Sequence, residues 1–513
     1  MHPQVSRRLT LLMIIVLTGL LERPAPAALT VGTNLNVTKL AGNQTETTVA
    51  INPLNPQNLF VASNNGTFPT PSVFFFSTNG GANWSASDVS ALPTACCDES
   101  SAWDSFGNLF VTYLTVIGST AAVAVSTNGG ASFTLLFQST NNIDQPSIAV
   151  GPGGSYAPGG VWITLAGPSG LTVHSAAVNG FGSVGVFSSE EIAPGPGGSF
   201  GDIAVGPEGQ VLVTYQNTLN ASSDGIFVNL DPDGLGPAGF NAVITATTTL
   251  VNGYLAIPAQ PKRKIDAEAG LAWDRTAGPN NGAIYLVYTD RPNSTSADTD
   301  IYVRRSNDNG TTWGAAVRVN DDPAGKSQFL PRIALDQTTG NLAVSFYDCR
   351  NSSGNNTAQI WASVSTDGGF TFLPNVKVSP GTNSALVTAV SVSGFDYGDY
   401  TGLAFNAGVF YPCWGDNSNH TGDNPDGTLH TLDVYITAVT VPPNSPPLTI
   451  SLAGANVILS WPSFATGGFQ LEQTPTLSPP AWGGVTNAVA DDGVTRTVTL
   501  PINLADNFYR LKK

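Results

Sequence analysis

Seven carboxylates recur at one place in an internal repeat, and that spacing tells where chemistry could sit. Glu46, Asp98, Glu99, Asp144, Asp202, Glu268 and Asp399 each lie within five residues before an alanine that opens a recurring pattern. Asp266 and Asp396 lie slightly further ahead of the same alanines, and Asp290, Asp348 and Asp416 stand on the strands that return. Carboxylates gathered at one opening raise one another's pKa, hold cations, or divide into an acid and a base. A single Asp at a strand end more often caps a turn. Asp104, Asp274 and Asp336 fit that plainer role, because they belong to the repeat itself.

The repeat that positions these acids is Ala, an apolar residue, then Asp, Asn or Gly, followed after a turn by a second strand. Its seven copies begin at Ala50, Ala102, Ala149, Ala204, Ala272, Ala334 and Ala404. Each reads as the first hairpin of a small β-sheet. A second motif closes the outer part of four units: Ser77–Trp84 (STNGGANW), Ser126–Phe133 (STNGGASF), Ser306–Trp313 (SNDNGTTW) and Ser365–Phe372 (STDGGFTF). Its logic is local: a short carboxylate or amide caps the backbone N–H groups of a tight turn, and Gly takes the positive-φ position. The aromatic then buries beneath. A worn copy, Asp231-Pro232-Asp233-Gly234 with Phe240, marks the fourth unit.

These motifs resemble the Asp-box proteins, the bacterial sialidase-like β-propellers. The resemblance implies an all-β fold over residues 28–441, with seven blades as the reading and six, as in the sialidases, as the alternative. The Asp-box itself reports architecture, since it lies on an outer hairpin in such folds. In the sialidases an arginine triad clamps the sialate carboxylate, a Tyr–Glu pair supplies the nucleophile, and an Asp is the acid/base. By position around the ring, Asp98 stands for the acid/base and Glu268 for the partner of a nucleophile. Tyr400, in Gly398-Asp399-Tyr400-Thr401-Gly402, stands for the nucleophile, with Asp399 beside it, and Arg332 for one clamp residue. The first triad arginine, carried by the family in an F/Y-R-I-P motif, is absent: no Arg occurs between Ala28 and Pro261. The expectation is therefore a propeller that binds or hydrolyses extracellular carbohydrate or glycoprotein at an acidic axial face. The alternatives are a non-catalytic scaffold or adhesion protein, and an exo-sialidase whose clamp is rebuilt from Arg291, Arg332 and Arg350.

Composition sets further limits. Only 11% of the 513 residues are charged, while Gly (55) and Pro (36) are abundant, which suits short strands and turns. The net charge of −16, with Lys39 alone basic between Ala28 and Pro261, excludes nucleic acid and anionic membrane surfaces as partners. Residues 1–27 read as a signal peptide: Arg7 and Arg8, the apolar run Leu9–Leu21, then Ala25-Pro26-Ala27. That run falls short of the roughly 20 residues a membrane span needs. The expected location is outside the cell, free or at the surface. The proline-rich stretch 442–447 reads as a stiff linker. Residues 448–513 alternate as a small β-sandwich module, for which attachment to the cell surface is one expected role.

In an exported chain, Cys96, Cys97, Cys349 and Cys413 favour disulfides, with Cys349–Cys413 the preferred pair. No His spacing supports zinc. Calcium is the one cofactor expected, at Asp416, Asp423 and Asp426 in an oxygen-rich loop.

Overall fold

The computed structural model describes residues 28–512 apart from short stretches at 67–71, 118–119, 141–142, 168–169, 189–190, 197, 218–223, 324, 388–389, 391–393, 443–447, 464–467 and 503–506. The expected signal peptide and most of the expected linker therefore lie outside the described residues. The chain is all-β, many small antiparallel sheets with one short 3₁₀ turn at Gly427–Leu429. Strands dominate the described residues, because apolar residues alternate with Thr, Ser and Gly along segments that end within a dozen residues.

Seven sheets follow one another as meanders at residues 44–86, 95–138, 144–192, 199–249, 270–318, 328–377 and 402–440. Their inner strands are Gln44–Ile51, Ala95–Trp103, Asp144–Gly153, Ser199–Val205, Gly270–Trp273, Gln328–Leu335 and Gly402–Asn406. Each inner strand packs against the inner strand of the next sheet, and the seventh packs against the first. The repeat alanines face this junction, where a larger side chain would force the sheets apart. Between successive sheets lie apolar layers, for example Phe60, Tyr113 and Phe133 between the first and second.

The seventh sheet is completed from the other end of the chain. Thr30–Val31 pairs with Val439–Thr440, and Leu35–Asn36 with Asp433–Ile436. This outer strand covers an edge that would otherwise offer unpaired N–H and C=O groups to another chain.

The S-x-D/N-x-G turns form as their chemistry requires. In Ser306–Trp313 the Gly310 N–H donates to Ser306 Oγ (3.0 Å) and the Thr312 N–H to Asp308 Oδ1 (2.8 Å). The same pair of bonds holds the turns at Ser77, Ser126 and Ser365. Gly310 sits at φ +82° against Leu212 of the preceding sheet, so the turn also fixes how neighbouring sheets dock.

Residues 449–512 form two further sheets of four and three strands, closed over Leu459, Trp461, Leu471, Val498, Leu500 and Leu511.

The expected disulfides are absent: all four cysteines are free thiols. Strand alternation explains why Cys349 and Cys413 do not meet. Cys413 points into the layer between the seventh and first sheets with Val49 and Val61. Cys349 belongs to the layer around Tyr347 and Tyr397 on the other side of the seventh sheet.

Candidate functional site

The inner strands do not run straight to their ends. In five sheets the register slips, between Thr45 and Thr48, Cys97 and Ser100, Asp144 and Ser147, Ser199 and Asp202, and Phe329 and Arg332. These are β-bulges, which insert a residue and re-aim its side chain. The residue four places before the repeat alanine takes a left-handed conformation in five copies: Glu46 (φ 56°), Asp98 (59°), Gln145 (41°), Glu268 (42°) and Leu330 (49°). Glu268 and Gln145 line the axial cavity and Glu46 and Asp98 lie at its mouth, whereas Leu330 stays in the apolar layer with Phe329 and Ala343.

Two groups of side chains result. Along the axis, a cavity of about 80 Å³ is lined by Glu99, Asp202, Glu268, Arg332 and Tyr400 among small polar residues. Arg332 lies 3.8 Å from Asp202 and 3.9 Å from Glu268. At the mouth, Glu46, Asp98, Asp144 and Asp399 gather around Arg263, whose Nη2 donates to Glu46 (2.9 Å) and whose Nε donates to Asp399 Oδ1 (2.7 Å). The Gln145 N–H donates to Asp98 Oδ2 (3.3 Å), and the Asp98 N–H to Asn64 Oδ1 (2.9 Å).

Arg263 was not expected here; Arg291, Arg332 and Arg350 were the cations assigned to this face. Arg263 arrives on a hairpin, Leu255–Ile257 with Gln260–Ile265, inserted between the fourth and fifth sheets. Gln260 Nε2 bonds the Gly398 carbonyl (2.8 Å), and the Lys262 and Arg263 N–H groups bond Asp396 Oδ2 (2.7 and 2.9 Å). The sequence held one clue: Pro261-Lys262-Arg263-Lys264 is the first basic cluster after residue 28. Arg291 instead bonds the carbonyls of Leu250 and Ser296. Arg350 pairs with Asp348 and Asp321 and covers the Trp361 ring. Among the described residues the cavity that holds Arg332 is lined by neither Arg291 nor Arg350. Asp290 and Asp348 cap their own loops, bonding the N–H groups of Arg291 and Arg350.

Burial dominates the electrostatics. It pushes Asp98 up to about 7, helped by the neighbouring Asp144 carboxylate, with which Asp98 shares a hydrogen bond. Burial likewise lifts Glu99 to about 8, and Asp266, with Asp399 close by, to about 8. Glu46 and Glu268 rise well above the carboxylate range for the same reason, although Arg263 and Arg332 oppose the rise. The Tyr400 hydroxyl, buried and surrounded by Asp98, Glu46 and Glu99, is held protonated. The site thus stores several protons on carboxylic acids at neutral pH, and Asp98 is the one poised near 7 at the entrance.

The calcium expectation is corrected by the same bookkeeping of partners. Asp416 is buried and taken by the Trp414 ring N–H, Ser418 and Asn383. Asp423 pairs with Lys39 (3.0 Å), and Asp426 accepts from the Gly42 N–H and Thr431. Among the described residues no cluster of three or more His, Cys, Asp or Glu is arranged to hold a metal ion.

No family model and no curated relative matches the sequence. Similar solved structures include a phage phi92 endosialidase (11% identity, 82% of this chain and 73% of that one, TM-score 0.45). A Burkholderia pseudomallei lectin is 12% identical over 65% of this chain and 84% of its own, with a TM-score of 0.43. A Dyadobacter fermentans protein of unknown function is 12% identical over 81% of this chain and all of its own, also at 0.43. A Hadza microbial sialidase and a Penicillium chrysogenum arabinanase are also similar, at 12% identity. Identities this low carry no residue-by-residue correspondence.

Proposed function

We propose that the seven sheets are the blades of one propeller, and that the acidic end of its axis takes a saccharide on an exported protein. The observation that carries this reading is Asp98 itself, held on a strained bulge at the axial mouth with the Asp144 carboxylate beside it, where burial lifts it to about 7. Such a pair supplies the proton that a glycosidic oxygen needs as its bond breaks. Tyr254, largely exposed on the inserted hairpin and within electrostatic reach of Asp266, Asp399 and Asp144, gives a sugar ring a face to stack on.

The ligand is neutral or cationic. Arg263 is occupied by Glu46 and Asp399, and Arg332 stands between Asp202 and Glu268. A sialate carboxylate would meet acids on every side, which argues against sialidase activity. The axial cavity of about 80 Å³ suits a few waters, not a sugar ring. Binding therefore belongs to the mouth, and Glu268, Tyr400 and Arg332 support it from below. That narrow channel also favours the second reading, a propeller that binds glycan without turning it over.

The test is a panel of neutral chromogenic glycosides together with a glycan array. Hydrolysis that disappears in Asp98→Asn, with the melting temperature retained, and that falls in the parent above about pH 7 as the acid ionises, supports catalysis. Array binding without hydrolysis supports the second reading. Neither binding nor turnover, or hydrolysis untouched in Asp98→Asn, removes Asp98 from the proposal.

A further inference from the structure

The inner strands that begin at the acidic mouth end, about five residues or 17 Å further on, at a second opening of different chemistry. Its cavity measures about 410 Å³, within the range of small-molecule sites. Trp103 and Phe405, 7% and 8% exposed, are part of its wall, with Phe106 and Pro53 beside them. Apolar character continues onto the rim, where Leu54 (65% exposed) and Phe181 (60%) meet above Gly107.

Into this apolar opening reaches one cation, Arg275. Its Nη1 donates to the Val205 carbonyl (2.9 Å), and among the described residues no carboxylate pairs with it. The adjacent Asp274 is committed to its own turn, accepting from the Thr276 N–H (2.8 Å) and hydroxyl (2.6 Å). Asp104, also at the wall, is held by the N–H groups of Phe106 and Asn108 and by the Asn108 amide. Gln337 fixes the backbone that carries the cation: its Oε1 accepts from the Arg275 main-chain N–H (3.0 Å) and its Nε2 donates to the Trp273 carbonyl (2.9 Å). Burial draws the Arg275 pKa down to about 10, although the adjacent Asp274 opposes the fall. A partly desolvated cation of this kind gains most from a ligand anion that bonds its free N–H groups.

We infer that this second opening binds a small organic anion, a carboxylate on a flat apolar body, with Arg275 on the carboxylate and the rings of Trp103, Phe106 and Phe405 around the body. The acidic mouth and this opening then select ligands of opposite character at the two ends of one axis. The inference is independent of the glycan reading.

Isothermal titration calorimetry of the full chain with indole-3-acetate and its neutral counterpart indole-3-acetamide tests it. The acetate binds at least tenfold more tightly than the amide, and the difference shrinks as salt is raised. Arg275→Met removes the preference, Phe106→Ala weakens both probes, and Asp98→Asn changes neither. Equal affinity for the two probes, or no heat from the acetate at millimolar concentration, overturns the inference. The comparison of probes on the unsubstituted protein keeps the test decisive if Arg275→Met fails to fold.

Discussion

Glu99→Gln should stabilise this protein, and by an amount that grows with pH. Glu99 is 1% exposed, and neither carboxylate oxygen meets a donor in hydrogen-bond geometry; Ser72 lies beside it without closing a bond. Burial first, and then Asp98, lifts it from its ordinary value near 4.5 to about 8. Between those values the unfolded chain has released the proton and the native chain still holds it, so stability falls as pH rises. Each pH unit costs about 1.4 kcal/mol, which makes the loss about 3 kcal/mol at pH 7. Glutamine matches the protonated form in shape and does not titrate. Urea unfolding midpoints of parent and variant, measured between about pH 3.5 and pH 8, should coincide at the acid end, below the unfolded value of Glu99. They should separate toward the alkaline end, with the variant the more stable. A difference that is constant with pH, or a variant less stable at pH 8, would refute the assignment of a buried, protonated acid.

Arg263→Met leaves Glu46, itself 1% exposed, and Asp399 facing each other. Breaking a buried pair costs about 3–5 kcal/mol, reduced to about 2 kcal/mol for a guanidinium whose side chain is 34% exposed. Urea denaturation at neutral pH should show that loss, and an unchanged midpoint would argue against the pairing. Removing residues 28–40 strips the outer strand from Asp433–Thr440, and size-exclusion chromatography should show self-association through the bared edge; an unchanged profile would mean that the edge is protected otherwise. Gly310→Ala should cost about 2 kcal/mol, because φ +82° and a contact of 3.1 Å with Leu212 act together. Gly422→Ala, at φ +75° in open space, should cost about half as much. Equal shifts in thermal melts would argue against docking of the turn on the neighbouring sheet.

What was legible in the sequence was whatever one repeat encodes within itself. The S-x-D/N-x-G turns and the Ala-led hairpins are local, so their residues alone fix their hydrogen bonds, and the axial position of Glu46, Asp98 and Glu268 follows from counting back from the alanine. After Asp433–Val441 the chain runs into Pro442-Pro443 where a fourth strand of the last unit would stand, a gap that the strand at residues 29–40 fills. Readings that needed two distant units in a known orientation fared worse. Cys349 and Cys413 are neighbours by sheet order but face opposite sides of the seventh sheet, a distinction that one residue of register decides. Arg263 escaped because the hairpin that carries it belongs to no repeat, and only its bonds to Asp396 and Gly398 aim it at the mouth. Asp416, Asp423 and Asp426 share a loop but not a centre, since each had a nearer partner.

The backbone at the mouth argues for function independently of any likeness. Glycine would take the left-handed conformation there at little cost, yet Glu46, Asp98, Gln145 and Glu268 adopt it, as do Lys264 and Asp396 beside them. Each non-glycine in that region carries strain on the order of 1–3 kcal/mol. To this is added the cost of burying Glu46, Glu99, Asp266 and Glu268 among one another. A sequence shaped for stability alone would place glycine at the bulges and hydroxyls along the channel, as Thr47, Thr48, Ser100 and Ser147 already do nearby. Strain and a raised carboxyl pKa coincide at Glu46, Asp98 and Glu268, and the turn-capping acids Asp104, Asp274 and Asp336 show neither positive φ nor a missing partner. Strain and burial meeting on those three carboxyl groups is a cost that the proposed binding site would explain.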